Sequence, residues 1–287
     1  MNLKAHRKIL PVLMSLLLSL ALVSTATYAW FSMNTTVKGT GMSVTSTAPT
    51  NMLISVDASV WENGVTANTA VAGGFSPAST VNGKTFFALA ATEGIDVEGD
   101  IVDAGNRTAV QLAQVNRVED ANVYYAEVAL YVKAGEQTGL AEDLTMFLGG
   151  MTVNTASLTD IANCVRVSIT SAGRNTGVVT SFAADGTPMV GETPLVESSA
   201  VIYKYDTVTA VSPISAVDGE GRPTLAADTA LAPGNTTTCF TVDYTGQAYT
   251  TVIVRIWLEG QHEACINEIA GETITIGLEW EASNYSA

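Results

Sequence analysis

His262, Glu263 and Cys265 stand together in the stretch QHEACINEIAG (261–271), and they combine metal-ligating, basic and nucleophilic side chains within four positions. Zinc peptidase chemistry asks for more than this. It needs two histidines four apart on one helix, with a glutamate between them as base. The chain has two histidines in all, and the other, His6, lies in the N-terminal leader. One histidine cannot build that helix, and three ligands in a single short turn would crowd one another. His262 is therefore read as a structural or surface residue. A Ser–His or Cys–His pair would also have His262 as its only base. Neither G-x-S-x-G nor G-x-x-x-x-G-K-[ST] occurs, so acyl transfer and nucleotide binding have no motif to rest on.

Carboxylates offer two further possibilities. The segment EGIDVEGDIVDAG (93–105) places Asp96, Glu98, Asp100 and Asp103 at intervals that could hold Ca²⁺ weakly. It lacks the glycine and terminal glutamate spacing of an EF-hand loop, and a solvated acidic loop is the expectation. Glu259, Glu279 and Glu281 lie on strand-like C-terminal segments, where a pair could in principle hydrolyse a glycoside. Acidic residues on strands more often form solvated faces that discourage aggregation, and that is the expectation here. The reading is a non-enzymatic protein with no catalytic residue, no cofactor and no committed metal site.

The elements that would carry any function begin after a leader. Lys4, Arg7 and Lys8 form a basic start, and Ile9 to Val23 is apolar apart from Ser15 and Ser19. Thr27 and Ala29 suit the small-residue positions before a signal-peptidase cut, which makes residues 1–29 a signal peptide and Trp30 the first mature residue. The apolar run is short for a bilayer span, which needs about 20 residues. An uncleaved anchor stays open, with Tyr28, Trp30 and Phe31 as an interfacial belt. That leader is the only route to a membrane that the sequence offers.

The precursor carries 13 basic and 28 acidic residues. Removing Lys4, Arg7 and Lys8 leaves 10 bases against 28 acids, a net charge of −18. A chain so acidic is not expected to bind nucleic acid or anionic lipid, both of which select positive surfaces. Only 14% of residues are charged, and Thr, Val, Ala and Gly abound, a composition suited to sheets with neutral, Thr-covered faces. Three cysteines, Cys164, Cys239 and Cys265, allow any one of three disulfides in an oxidising compartment, or buried free thiols.

Period-two patterning dominates. In NVYYAEVALYVKAGE (122–136) one face reads Tyr124, Ala126, Val128, Leu130, Val132 and is expected to point into the core. In CVRVSIT (164–170) Val165, Val167 and Ile169 are expected inward, with Arg166 and Ser168 outward. Further strands are expected at 52–56, 85–89, 201–206, 238–244 and 249–260. Another, in ETITIGLEWEAS (272–283), has Ile274, Ile276, Leu278 and Trp280 on one face. The stretch 261–271 reads as a short helical turn. Segments 63–83, 92–106, 171–196 and 212–236 are rich in Gly, Pro and Asp and are expected as surface excursions. The expectation is one all-β domain over 42–287: an antiparallel, jelly-roll-like β-sandwich with long loop insertions and one or two short helices.

Three stretches together resemble one family. TYAWFSMNTTVKGTGMSV (27–44), YYAEVALYVKAG with CVRVSIT, and VIVRIWLEGQHEACINEIAGETITIGLEWEAS (252–283) are similar to TasA/camelysin-like secreted proteins exported with a SipW-dependent type of signal peptide. The resemblance implies a jelly-roll sandwich and, in TasA-like members, a biofilm-matrix fibre. In such a fibre the N-terminal strand of one subunit completes a sheet of the next, pairing with itself or a related matrix protein. Camelysin-like members carry a metallopeptidase label, which the histidine count here argues against.

The residues of the N-terminal segment suit that mode. Phe31, Met33, Thr35 and Val37 share one face of an extended strand, Trp30 begins the other, and no charge precedes Lys38. Gly39 and Gly41 then supply a hinge, so residues 30–41 form a donor strand with its joint. Residues 30–37 could instead pair within their own domain or lie as an unpaired or anchored start. The rival function is a monomeric surface module whose loops at 57–120 and 171–236 recognise a carbohydrate or host protein. Secretion to the cell surface or extracellular matrix is expected in either case.

Overall fold

The computed structural model describes residues 42–47, 52–69, 76–80, 82–89, 112–114, 124–135, 142–155, 159–205, 209–211, 237–260 and 274–283. The alternating segments become strands because β-branched and aromatic residues at every second position can all be buried on one face of a pleat. Two sheets carry the structure. The first joins β1 (Met42–Thr47), β3 (Gly64–Thr69), β8 (Leu144–Thr155), β15 (Phe240–Val242) and β17 (Ile274–Ser283) in the order β15-β8-β17-β1-β3. The second joins β2 (Met52–Ser55), β7 (Tyr125–Ala134), β9 (Val165–Arg174), β13 (Val201–Lys204), β14 (Thr209–Val211) and β16 (Thr250–Leu258) in the order β14-β13-β9-β16-β7-β2. The fold is all-β and sandwich-like, as its alternation implies.

The inward faces pack into one continuous core. Ala126, Val128, Leu130 and Val132 of β7 meet Val165, Val167 and Ile169 of β9 and the alternate residues Val252 to Leu258 of β16. Ile274, Ile276, Leu278 and Trp280 of β17 face them from the first sheet. Trp280 also donates its indole N–H to Ser46 Oγ, which satisfies the ring's one polar atom inside the core.

Two features depart from the simplest sandwich. β1 runs parallel to β17, from Met42 opposite Ile274 to Thr47 opposite Glu279, whereas every other named pairing is antiparallel. A parallel pair needs a long crossover, and here nearly the whole chain separates the two strands. Between Glu279 and Trp280 the β17–β8 register slips, leaving Gly149 as the extra residue. A side chain on Gly149 would meet that of Glu281, which would have to swing aside.

The segments expected as surface excursions are more regular than that. Residues 63–83 contain β3 and β4 (Ser79–Thr80), and β4 pairs with β5 (Phe86–Leu89) and β5 with β6 (Leu112–Gln114). Residues 171–196 finish β9 and then form β10 (Ser181–Phe182), β11 (Pro188–Val190) and β12 (Thr193–Pro194). The one helical element among the described residues is a 3₁₀ turn, Thr159–Cys164. The helical turn expected at 261–271 lies outside the described residues, as do 92–106 and 212–236. No described helix is long and apolar enough to cross a membrane.

The two-faced pattern makes a direct prediction. Leu130→Ala should lower the unfolding free energy by about 2–5 kcal/mol, because it opens a cavity in the shared core. Thr66→Ala, on the outer side of β3, should stay within about 0.5 kcal/mol. Urea unfolding midpoints of the two variants check the assignment of faces.

Candidate functional site

The second sheet buries both of its faces. Arg255 sits in the apolar run VIVRIW of β16, where a strand covered on one side only would leave it in water. It is fully buried instead. Its neighbours on the outer face of the sheet, Glu127 on β7 and Ser168 and Thr170 on β9, are buried as well. The cover is the excursion between β9 and β13, which folds back across the sheet.

Arg255 holds that cover down. Its Nε donates to Glu127 Oε2 at 3.0 Å. Nη1 and Nη2 donate to the two carboxylate oxygens of Glu197 at 2.7 and 2.8 Å, and Nη2 also donates to the Gly186 carbonyl at 2.7 Å. Four of the five guanidinium hydrogens are thus committed, and the Glu197 contact is the bidentate geometry that makes Arg–carboxylate pairs strong. Burial opposes the charge, but the Glu197 hydrogen bonds and the fields of Glu127 and Glu197 outweigh it and raise the Arg255 pKa above its ordinary value. Thr170 Oγ1 donates to Glu197 as well.

The turn that delivers Gly186 is local chemistry. In the sequence AADGT the Asp185 carboxylate accepts from the Thr187 N–H at 3.0 Å, and Gly186 takes φ of +82°. The hydroxyl and N–H of Thr187 hold the Asp185 carboxyl below its usual range, helped by the Arg255 charge.

Two apolar groups flank the clamp. On one side Phe86 stacks on Tyr125 at 4.1 Å and meets Trp257 edge-on at 5.2 Å. Trp257 Nε1 donates to Glu259 Oε2 at 3.2 Å, and Ser79 Oγ donates to Glu259 Oε1. Glu259 is therefore buried, which corrects the expectation of a solvated strand face. Arg166 and Ser168 are corrected in the same way: they point away from the core, as expected, yet both are buried. Arg166 Nη1 donates to the carbonyls of Asn163 and Val165 at 2.7 and 3.0 Å, and Ser168 Oγ to that of Gly83 at 2.6 Å.

On the other side, Tyr131 and Tyr249 meet edge-on at 5.6 Å, and Trp61 lies 6.0 Å from Tyr249 under the Lys133 ammonium. The hydroxyls of these tyrosines accept the N–H groups of Val179 and Gly177, which fastens the start of the excursion. Beside them Asp57 closes a turn. The Ser59 hydroxyl, then the N–H groups of Ser59 and Val60, and then the Ser55 hydroxyl hold its carboxyl far below the usual range.

Comparison with family models, with curated proteins and with solved structures finds no match.

Several residues singled out in the sequence lie outside the described ones: Ala29, Trp30, Phe31, Met33, Thr35, Val37, Gly39 and Gly41 at the N-terminus, and Asp96, Glu98, Asp100 and Asp103 in the acidic segment. His262, Glu263 and Cys265 lie outside them too. Among the described residues no cluster of three His, Cys, Asp or Glu side chains could hold a metal ion. Glu279 and Glu281 are exposed on the outer face of the first sheet.

Cys164 and Cys239 are both buried and are not joined to each other. The Cys239 Sγ lies 2.9 Å from Tyr203 Oη, and burial pushes its thiol up to about 11. Burial likewise raises the Tyr203 hydroxyl well above its ordinary value.

Arg255, Glu127 and Glu197 went unnoticed as a group in the sequence. One signal was there: an arginine inside nine apolar-patterned residues needs buried partners. The partners sit 128 and 58 positions away, which no spacing rule reaches.

Two predictions follow from these contacts. Arg255→Met leaves two buried carboxylates without their cation and should cost about 3–5 kcal/mol. Limited proteolysis should then cut within 176–200 before the sheets unfold, and protection equal to the unsubstituted chain would refute the clamp. Cys239 should resist alkylation in the native state at pH 8.5 and react on unfolding, as mass spectrometry of its peptide can show. Its folded pKa is raised, so its contribution to stability is complete below the unfolded thiol value and falls as pH climbs from about 9 toward 11.

Proposed function

We propose that this protein is a secreted structural subunit of a cell-surface or matrix fibre, of the TasA-like kind, joined by β-strand addition from its N-terminus. The observation that carries the proposal is a mismatch in strand lengths. β8 runs for 12 residues, Leu144–Thr155, yet on the side away from β17 the described strands pair with it only at Leu144–Met146, through β15. Among the described strands none pairs with Met151–Thr155 on that side, and an incoming strand could add there to the first sheet, with Met151 and Val153 facing the core beside it.

The proposed donor is Trp30 to Val37, uncharged and alternating, behind the hinge at Gly39 and Gly41. Its connection supports the role. β1 is an interior strand between β17 and β3, so residues preceding Met42 start from a firmly held point. The partner is another copy of the chain or a related matrix protein. The proposal involves no enzyme activity, cofactor or nucleic acid, and a membrane only where the leader is kept.

One observation favours a second reading, the surface-displayed binding module. Val56 and Val60 are exposed in the turn between Ile54 and Glu62 that carries Trp61, and Val178 is exposed next in sequence to Gly177, whose N–H meets the Tyr249 hydroxyl. Both loop regions named as candidate recognition loops thus bring apolar residues near the half-buried Trp61–Tyr249 pair, which a carbohydrate or host protein could use.

Negative-stain microscopy separates the two. A chain beginning at Trp30 should form filaments, and one beginning at Gly41 should stay monomeric. If both remain monomeric, strand addition is refuted and the aromatic patch becomes the site to test.

A further inference from the structure

An asparagine followed by glycine loses its side-chain amide readily in water, because glycine puts no side chain in the way of its own backbone nitrogen. Asn82–Gly83 is such a pair, and it lies in the turn between β4 and β5. In the structure the groups that this reaction uses are held. The Gly83 N–H, source of the nucleophile, donates to Thr80 Oγ1 at 2.9 Å. Asn82 Oδ1 accepts the N–H groups of Lys84 and Thr85 at 2.9 and 2.7 Å. The Gly83 carbonyl accepts from Ser168 Oγ of the second sheet at 2.6 Å, and Gly83 takes a φ of +68°. A carbon added to Gly83 would come within 2.8 Å of Ala200 Cβ and 2.9 Å of Ser168 Cβ, so the turn is pressed against the strands beneath it. Asn82 is exposed to water while Gly83 is buried.

The neighbouring turn repeats the arrangement at Asp185–Gly186. The Gly186 N–H donates to the Ala183 carbonyl at 2.9 Å, its carbonyl accepts from Arg255 Nη2 at 2.7 Å, and its φ is +82°. A carbon added to Gly186 would lie 3.5 Å from the Lys84 carbonyl, so the two turns meet. Each fastens the cover to the second sheet through a glycine carbonyl. Aspartate–glycine closes the same ring more slowly than asparagine–glycine, which makes Asn82 the first of the two to react once its turn is free.

We infer that Asn82 is a modification site gated by this cover: it deamidates only when the β4–β5 turn lifts from the second sheet, and the isoaspartyl product keeps the turn from seating again. In the lifted turn the Gly83 nitrogen gives up its proton and attacks Asn82 Cγ. The N–Cγ bond forms, the Cγ–Nδ2 bond breaks, and ammonia leaves with a proton. Water then opens the succinimide ring. Addition at Cγ gives aspartate, whose carboxylate can still accept the Lys84 and Thr85 N–H groups. Addition at the main-chain carbonyl carbon gives isoaspartate, which puts one extra carbon into the backbone between Thr80 and Lys84. A turn lengthened in this way does not return Gly83 N–H to Thr80 and its carbonyl to Ser168 together. Water is the one co-reactant, nothing is oxidised or reduced, and opening of the cover is recorded irreversibly.

The test follows the Asn82 peptide of the full chain by mass spectrometry at pH 8.5, folded and in urea, with isoaspartyl-specific methyl transfer to tell the two products apart. The folded chain should deamidate at Asn82 at least about tenfold more slowly than the unfolded one, because only the opened fraction reacts. Ser168→Ala, which unfastens the Gly83 carbonyl, should raise the folded rate several-fold. A folded rate within about twofold of the unfolded rate overturns the gate, and so does a Ser168→Ala variant that keeps the unsubstituted rate. Chains aged in urea and then refolded test the irreversible step. Those carrying isoaspartate should show fast hydrogen exchange from Phe86 to Ala88, whereas Asn82→Asp should exchange as slowly as the unsubstituted chain. Native protection in the isoaspartyl chains overturns that step.

Discussion

The buried Arg255 organises the covered side of the second sheet. Arg255 sits in the middle of the most completely buried strand, where an unpaired charge would cost several kcal/mol. The strand pairing supplies one carboxylate, Glu127, directly opposite Arg255 on β7. That leaves the outer half of the guanidinium to be satisfied from above the sheet. Glu197 and the Gly186 carbonyl do this, and both come from the excursion between β9 and β13. The chain beyond Arg174 must therefore return across the sheet, and Gly186 must hold a left-handed turn close to Tyr125. A side-chain carbon at position 186 would sit 3.0 Å from the Tyr125 hydroxyl.

Once that cover is in place, the two sheets cease to be equivalent. The second sheet has a core on each side, which is why its outward positions can hold Trp257, Tyr125 and Tyr131 beside a paired Glu127 and Arg255. The first sheet keeps one dry face and one wet one, with hydroxyls where solvent meets it. The low charged fraction, 14%, follows from this division. Among the described residues the outer face of the first sheet carries hydroxyls and glycines, with the carboxylates of Glu279 and Glu281 on β17. A neutral sheet face in an acidic protein limits non-specific association through net charge without placing a carboxylate on every strand.

The inward faces were legible because period-two alternation reports one buried side directly. Val165, Val167, Ile169 and Ile274, Ile276, Leu278 point where their spacing says. The same rule failed for Arg166, Ser168 and Glu259, because alternation assigns a residue to a face but cannot say whether that face is covered. The cover depends on contacts such as Arg255 with Glu127, 128 positions apart. Likewise the parallel pairing of β1 with β17 joins the two ends of the described chain, and no local signal announces it. The clamp itself left one trace, an arginine in an apolar strand.

The position of β1 bears on how a fibre of such subunits would carry load. A donor strand tethered to an edge strand would be peeled away one hydrogen bond at a time. In the proposed fibre the tether would enter β1, which is bonded along its length to β17 on one side and β3 on the other. Tension directed along β1 would load both ladders in shear, so that many bonds would have to yield together. The parallel partner β17 is in turn bonded to β8 over ten residue pairs. β8 is also the strand whose margin is proposed to receive the donor of the next subunit. Force would then pass from acceptor strand to β17 to β1 to donor within one five-stranded sheet, and the clamped sheet with its buried Arg255 would stand behind it as a stiff support.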